Sequence, residues 1–336
     1  MTASLDLATI LAFVVAFSIF VYVVMDGFDL GVALLFPFFL ERHDRDVMMN
    51  SVAPVWDGNE TWLVLGGGAL FAAFPLAYAI LMPALYAPII AMLLGLVFRG
   101  VAFEFRWRTE RGRFLWDIAF TGGSLVAALA QGVALGAILQ GVTVTNNAYG
   151  GGWWDWATPF SALTGLAVVI GYALLGATWI ILKTEGTLRD RAYTLANRLT
   201  YATLAAILLV SAVTPFLEAS YWQNWFAWPR VLLTVPVPLG VAVLAWLLLR
   251  RLAERRDNWP FPLTLALFGL CFVGLGVSVF PNIVPDTVTI AQAAAPRMSQ
   301  IFILVGVAIL IPVILAYTAY AYWVFRGKMD PDEGYH

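Results

Sequence analysis

Histidine is almost missing from this chain. Of 336 residues only His43 and His336 are histidines, one in the charged run Glu41-Arg42-His43-Asp44-Arg45-Asp46 and the other the last residue. Neither lies in an apolar run, so this chain cannot hold a membrane b-type haem by ordinary His ligation. Met25, Met82 and Met92 are better explained as apolar packing than as ligands. Cysteine is scarcer still: Cys271 stands alone, so no intrachain disulfide can form. Charged residues make up 12% of the chain, against roughly 25% in a soluble domain. With 61% hydrophobic residues and a mean hydropathy of +0.83, this composition excludes a soluble globular protein and leaves a polytopic membrane protein. No C-x-x-C-H, Walker A or dinucleotide glycine motif stands in a fitting context, so neither ATP hydrolysis nor dinucleotide chemistry is indicated. The opening MTASLDLATI has no basic segment and does not read as a cleaved signal peptide. No internal repeat, soluble domain or low-complexity linker is visible, and the closing MDPDEGYH reads as a short solvated tail.

What the chain does have is long apolar runs. A spanning helix needs about 20 such residues, and nine runs qualify. They cover Ala8–Phe28, Ala53–Phe74, Tyr78–Val101, Phe114–Leu139, Pro159–Leu182, Thr200–Leu217, Val231–Leu249, Phe261–Phe280 and Ile301–Val324. The stretch Thr61–Phe98 carries no charge over 38 residues. As one helix it would reach about 57 Å, so a tight hairpin near Phe74-Pro75 is expected. Joining the nine runs in order puts sixteen Lys and Arg on one side and only Arg230 and Arg297 on the other, with Arg99 at a helix end on the rich side. The positive-inside rule then sets the N-terminus outside and the C-terminus in the cytoplasm. Trp153, Trp154, Trp156, Trp222, Trp225 and Trp228 fall at the outer surface. Trp56, Trp62, Trp107, Trp116, Trp259 and Trp323 fall at the inner one, an interfacial belt. Gly27/Gly31 and Gly132/Gly136 form G-x-x-x-G pairs, and Gly66-Gly67-Gly68 adds another flat surface, for close helix packing. Pro83, Pro88 and Pro312 should kink their helices.

Charges inside a membrane are expensive and mark function by default. Most of them gather between Val24 and Glu104. Asp26 and Asp29 are three residues apart and share a helix face; Asp57 and Glu60 repeat the spacing; Arg99 and Glu104 close the third run. Three helices should bring these five acids and one arginine to the same depth near the cytoplasmic surface. Three readings stand: the acids pair with Arg99, Asn59 and amides and pin the helices; they form the mouth of a proton path; or they bind a hard cation. No particular metal ligand stands out. Asp117, after a basic run, reads as an interfacial acid, and Tyr22, Gln131, Gln140 and Tyr172 as interhelical hydrogen-bonding groups.

The runs Asp26-Gly27-Phe28-Asp29-Leu30-Gly31 and Asn50-Ser51-Val52-Ala53-Pro54-Val55-Trp56-Asp57-Gly58-Asn59-Glu60-Thr61-Trp62-Leu63 are long and specific. So are Gly66 to Pro75, Phe98 to Arg106, Leu139-Gln140-Gly141-Val142, Thr184 to Ala192 and Pro312 to Tyr320. Together they resemble subunit II of the cytochrome bd-type quinol oxidases, over nearly the whole chain and most strongly in the first 110 residues. The short outer loops resemble the cyanide-insensitive branch. The resemblance implies an all-α inner-membrane protein of nine helices. Residues 1–145 would form a first four-helix bundle, 146–285 a second, and 286–336 a peripheral ninth helix with a cytoplasmic tail. It implies a heterodimer with a haem-bearing subunit I that holds two b-type haems, a d-type or third b-type haem, and the quinol-oxidising loop. Quinol and oxygen would be the substrates of the complex. There is room for a structural quinone and a small accessory subunit, and no cofactor is assigned to this chain. The family's proton-route acids map onto Asp57 and Glu104, where other members often carry Asp at the second position; Asp29 and Arg99 match positions beside the route. Asp26, Asp29, Glu60 and Arg99 would set charge and orientation. The competing expectations are a proton- or cation-coupled secondary transporter, which midplane charges and inverted repeats would favour, and a non-catalytic scaffold.

Overall fold

The computed structural model describes residues 6–329; most of the MDPDEGYH tail, including His336, lies outside them. The chain is built from helices. They are α1 (Leu7–Leu35), α2 (Arg42–Val52), α3 (Trp56–Ala73), α4 (Pro75–Ala84), α5 (Tyr86–Arg108), α6 (Arg113–Leu139) and α7 (Pro159–Lys183). There follow α8 (Gly186–Val213), α9 (Ala219–Phe226), α10 (Val231–Thr234), α11 (Pro236–Ala253), α12 (Pro260–Val279), α13 (Ile290–Ala293) and α14 (Arg297–Val324). Two small antiparallel hairpins join them, β1–β2 (Val144–Thr145 with Ala148–Tyr149) and β3–β4 (Asn282–Val284 with Val288–Thr289).

Among the described residues, eight helical stretches are long and apolar enough to cross a membrane: α1, α5, α6, α7, α8, α10–α11 taken together, α12 and α14. Each of the nine expected runs lands on a helix, but the second, α3, falls short on composition. It has 18 residues, about 27 Å, and its first turn and a half, Trp56-Asp57-Gly58-Asn59-Glu60-Thr61, is polar.

Three expectations need correction. The connection near Phe74-Pro75 is no tight hairpin. The chain breaks at Phe74, forms α4, breaks again at Leu85 and only then enters α5. Pro88 explains the second break: it has no N–H for the Ala84 carbonyl, and its ring opposes a continuous helix, so it sits instead in the first turn of α5. α4 packs against β2, β3 and α13 rather than turning straight back. The sixth run begins earlier than Thr200: α8 starts at Gly186, and the segment expected as a basic loop is about four extra turns of helix carrying Arg189, Arg191 and Arg198. Trp62 is no belt residue. It is fully buried, edge-on to Phe17 at 5.7 Å.

Ion pairs gather the ends of α1, α5, α6, α7, α8, α11, α12 and α14 at one end of the molecule, here the basic end. Examples are Arg45–Asp117, Arg191–Asp44 and Lys328–Asp257. The hairpins, α4, α9 and α13 lie at the opposite end, where Tyr221 Oη donates to Leu139 O and Ala295 N to Ala73 O.

Helix α7 lies at the centre, packed by α1, α6, α8 and α12. Phe28 stacks on Trp179 at 4.2 Å, and Phe261 meets the same indole edge-on at 5.1 Å, so one aromatic group joins α1, α7 and α12. Between α1 and α7 the backbones touch: a β-carbon on Gly31 would overlap the Tyr172 carbonyl, and one on Gly176 would overlap Gly31. With no hydrophobic force between helices in lipid, such close van der Waals contact holds a bundle together. Of the glycine triplet only Gly66 packs within the chain, against Ile19; Gly67 and Gly68 face open space. In the bundle interior Tyr172 Oη donates to Gln131 Oε1 at 2.6 Å and Gln131 Nε2 to Tyr22 Oη at 2.9 Å, linking α7, α6 and α1 as the polar residues suggested.

Candidate functional site

Arg99 of α5 is fully buried and reaches two helices at once. Its two terminal nitrogens donate to Asp26 Oδ1 on α1 and to Glu60 Oε1 on α3. Trp56 lies against the guanidinium, 5.7 Å from ring centre to Cζ, and stacks on Phe103 of α5 at 4.8 Å. Asp29, one turn beyond Asp26, accepts from Asn59 Nδ2 at 2.7 Å; the same amide reaches Met25 O at 3.3 Å. Asn59 Oδ1 in turn accepts from Tyr322 Oη of α14 at 3.0 Å. Four helices thus meet on one polar knot.

The local reason is helical spacing. Asp26 and Asp29 lie on the face of α1 that is buried continuously from Asp26 to Phe36. On α3, Asn59 and not Asp57 points at α1, Glu60 lies at the edge and Asp57 falls outside. Asp26 and Asp29 are wholly buried, while the Glu60 side chain is 27% exposed, so the knot opens on the Glu60 side. Three carboxylates face one guanidinium. Asp29 Oδ1 and Arg99 Nε have no hydrogen-bond partner within the chain, and beyond Arg99 the Asp26 carboxylate has only the Tyr22 hydroxyl beside it. The group is therefore short of positive charge and of donors, unusual for buried polar atoms.

The expectation of five clustered acids holds for three. Asp57 is exposed, and the Glu104 side chain is 61% exposed, 3.9 Å from Arg108 one turn on. Both lie toward the basic end, on α3 and α5, outside the buried knot. A guanidinium occupies the centre that the cation reading would give to a metal. Among the described residues no three His, Cys, Asp or Glu side chains are arranged to hold one.

Reasoning from the sequence missed a second buried arginine. Arg106, seven residues along α5, is also buried. It donates to Asp117 Oδ1 at 2.6 Å on α6 and to Asp46 Oδ1 at 2.7 Å on α2. Arg45 joins Asp117 at 2.9 Å and Arg113 joins Asp46 at 2.9 Å. Asp117, expected at the interface, is a tie between helices. The available signal was Arg99 and Arg106 recurring at seven residues on one helix face, hidden among the five arginines from Arg99 to Arg113.

Asp257, between α11 and α12, collects Lys328 Nζ at 2.8 Å, Tyr193 Oη at 2.8 Å and Arg189 at 3.2 Å. Burial alone would raise its carboxyl, but the bonds from Lys328 and Tyr193 and the charges of Lys328 and Arg189 outweigh it and hold the group below the usual carboxylate range. Lys183 and Lys328 also donate to backbone carbonyls across the α7–α8 turn and the segment after α14, which ties down the end of the described chain.

Fold and site together define a polytopic helical membrane protein with a cluster of ionisable side chains buried at one end. A family model described as cytochrome bd terminal oxidase subunit II matches residues 7–325. The chain is 32% identical over 354 aligned positions to cytochrome bd-I ubiquinol oxidase subunit 2 of Escherichia coli K12, covering 93% of this chain and 92% of that one. It is 28% identical to cytochrome bd ubiquinol oxidase subunit 2 of Bacillus subtilis, covering 92% and 93%. The solved bd oxidase of Geobacillus thermodenitrificans has a chain of the same fold, with a TM-score of 0.78 at 16% identity over 95% of this chain and 98% of that one. The chain belongs to the cytochrome bd terminal oxidase subunit II family.

Proposed function

We propose that this chain is the haem-free subunit of a quinol:oxygen oxidoreductase of the respiratory chain, seated in a bacterial inner membrane beside a haem-bearing subunit I. Quinol is oxidised and oxygen reduced to water on the partner's haems, and this chain lines the route by which protons arrive from the cytoplasm. The basic end is the cytoplasmic end, nine helices cross the membrane with the N-terminus outside, and the two bundles meet where α1 packs on α7. Electrons leave quinol near the outer face and protons for water enter from the inner one, so turnover separates charge without a pump.

The observation that carries this reading is the shortage of positive charge around Arg99. Three carboxylates sharing one guanidinium can take up and release protons without exposing an unpaired charge at each step. Glu60 gives the group a side opening, and Asp57 and Glu104 sit at the same end on the same two helices. An exposed carboxylate at membrane depth is too costly to leave facing lipid, so this face is the one the partner covers, with Asp57 and Glu104 as relays in the seam. Asp26, Asp29 and Arg99 set the charge behind them.

The test is oxygen consumption and proton uptake by the assembled complex carrying Asp57→Asn or Glu104→Gln. The expected outcome is normal assembly with turnover slowed at least severalfold and proton uptake slowed in step. Full turnover in both variants would favour the helix-pin reading, which has the Arg99–Asp26 and Arg99–Glu60 pairs in its support. A secondary transporter would instead carry a solute across vesicles without any partner.

A further inference from the structure

Three residues of the bundle interior lead into the arginine knot from the middle of the molecule. Tyr22 lies one turn before Asp26 on α1, and its hydroxyl is beside the Asp26 carboxylate. Gln131 of α6 donates from Nε2 to Tyr22 Oη at 2.9 Å, and Tyr172 of α7 donates to Gln131 Oε1 at 2.6 Å. Tyr22 and Tyr172 are 3% and 1% exposed, so bulk water does not compete for these bonds.

The direction of the chain follows from its end. A carboxylate can only accept. The Tyr22 hydroxyl beside Asp26 therefore gives its hydrogen to the acid and must itself accept from Gln131. An amide that turns Nε2 to Tyr22 turns Oε1 to Tyr172, and the Tyr172 hydroxyl donates to that oxygen. Each bond fixes the next, and all of them donate toward Asp26. With the Arg99 guanidinium on Oδ1, Asp26 has both a cation and an oriented neutral donor.

Asp29, one turn further along α1, has neither. The ion pairs among the described residues include Asp26 and Glu60 but not Asp29. Its Oδ2 accepts from the neutral Asn59 amide, and its Oδ1 has no partner within the chain. Glu60, by contrast, holds Arg99 and is partly open to solvent. The ionisable groups around Asp29 are Asp26 on its own helix, Glu60 on α3, Arg99 on α5 and Tyr322 on α14. Hydrogen bonds and cations favour the charged form of a carboxyl. Of the three acids that share the guanidinium, Asp29 has the fewest of both and gives up the least by becoming neutral.

We infer that the Tyr172–Gln131–Tyr22 chain is a positioning device: it aims one hydroxyl hydrogen at Asp26 and fixes that residue as the anion paired with Arg99, so that the proton exchanged by the knot is carried by Asp29. Uptake forms an O–H bond at Asp29 and removes one negative charge from the group; release breaks that bond and restores the charge. The assignment rests on the reading of the knot as a proton-exchanging group and names the member that holds the proton.

The test is the infrared difference spectrum of the assembled complex between its oxidised and reduced states, read at the carbonyl stretch of protonated carboxyl groups. Aspartate labelled with heavy carbon at the side-chain carboxyl separates its signals from those of glutamate. The expected result is a signal that moves with the label and is lost in Asp29→Asn, whose amide keeps an oxygen for Asn59. In Tyr22→Phe, Asp26 loses its oriented donor and competes for the proton, so a second aspartate signal grows as the proton redistributes toward Asp26 by about tenfold. Tyr172→Phe frees the Gln131 amide to turn, and the change has the same direction and a smaller size. A chain that serves only to hold helices together would lower stability without moving the signal. Should Asp29→Asn fail to assemble, the label and the two tyrosine variants still decide. The inference is overturned by a signal that ignores the label, by its absence from the wild-type complex, by its survival in Asp29→Asn, or by identical spectra in both tyrosine variants. The expected spectra together with full turnover in Asp57→Asn and Glu104→Gln would count against those two relays alone; slowed turnover there with no Asp29 signal would count against this assignment alone.

Discussion

Helix α5 carries two buried arginines, Arg99 and Arg106, on one face and two turns apart, and their surroundings are opposite in charge. Around Arg99 one guanidinium serves Asp26 and Glu60 directly, with Asp29 close behind. Around Arg106 two carboxylates, Asp46 and Asp117, are shared among Arg106, Arg113 and Arg45. The first group has spare acids and unpaired oxygens; the second has spare cations, with each carboxylate held by two guanidinium groups. A group with spare acids can change its proton count. A group with spare guanidinium, which does not deprotonate in proteins, cannot. The same residue on the same helix is therefore part of a titratable site in one place and a fixed tie in the other.

The contrast can be broken most strongly at Arg99. Arg99→Met leaves Asp26 buried without a cation, and removal of one partner from a buried pair costs about 3–5 kcal/mol. The expected outcome is loss of assembled complex, read as yield and thermal stability; a stable, fully active variant would contradict the description of the knot. Arg106→Met should cost less, about 1–3 kcal/mol, because Arg45 and Arg113 stay with its two acids. Complex that does assemble should consume oxygen at the normal rate, and a turnover defect there would erase the distinction between the two groups.

Smaller effects sharpen the picture. Tyr322→Phe removes the hydroxyl that α14 offers to Asn59, a loss of about 1 kcal/mol, seen as a small drop in the unfolding midpoint. The Asp257 tether differs from the Arg99 knot in its response to acid. Because Asp257 is held below the ordinary value of about 3.9, its stabilisation is complete above that value and is lost only as pH falls through the lower, folded one. Protection from hydrogen exchange at residues 325–329, taken relative to the intrinsic amide rate at each pH, should therefore be flat from about pH 5 to 8 and fall only in stronger acid. A loss of protection near neutrality would mean that something other than Asp257 holds the segment.

Much of this was legible in the linear chain. The apolar runs placed every helix that can span, because the cost of unsatisfied backbone in lipid leaves few alternatives. The i, i+3 spacing put Asp26 and Asp29 on one face, and family motifs pointed at Arg99 beside them. Legibility failed where a choice between faces mattered. Asp57 and Glu60 have the same spacing as Asp26 and Asp29, yet only Glu60 turns inward. Residues three apart differ by about 60° around a helix, and on α3 that is the difference between reaching Arg99 and facing outward. In the sequence Arg106 reads as one more basic residue among those of one side, because a count of charges does not say which of them a neighbouring helix covers.

Composition and hydropathy pattern by themselves determined that this is a helical membrane protein without an imidazole in its spans, since both follow from what each residue costs in lipid. The motifs along the chain determined its family. Only the tertiary structure decided which acids share a guanidinium, which stand exposed, and which of the two buried arginines is left with spare acids. Those depend on the rotation and approach of helices far apart in sequence, set by contacts such as Gly31 on Gly176 that no local pattern specifies.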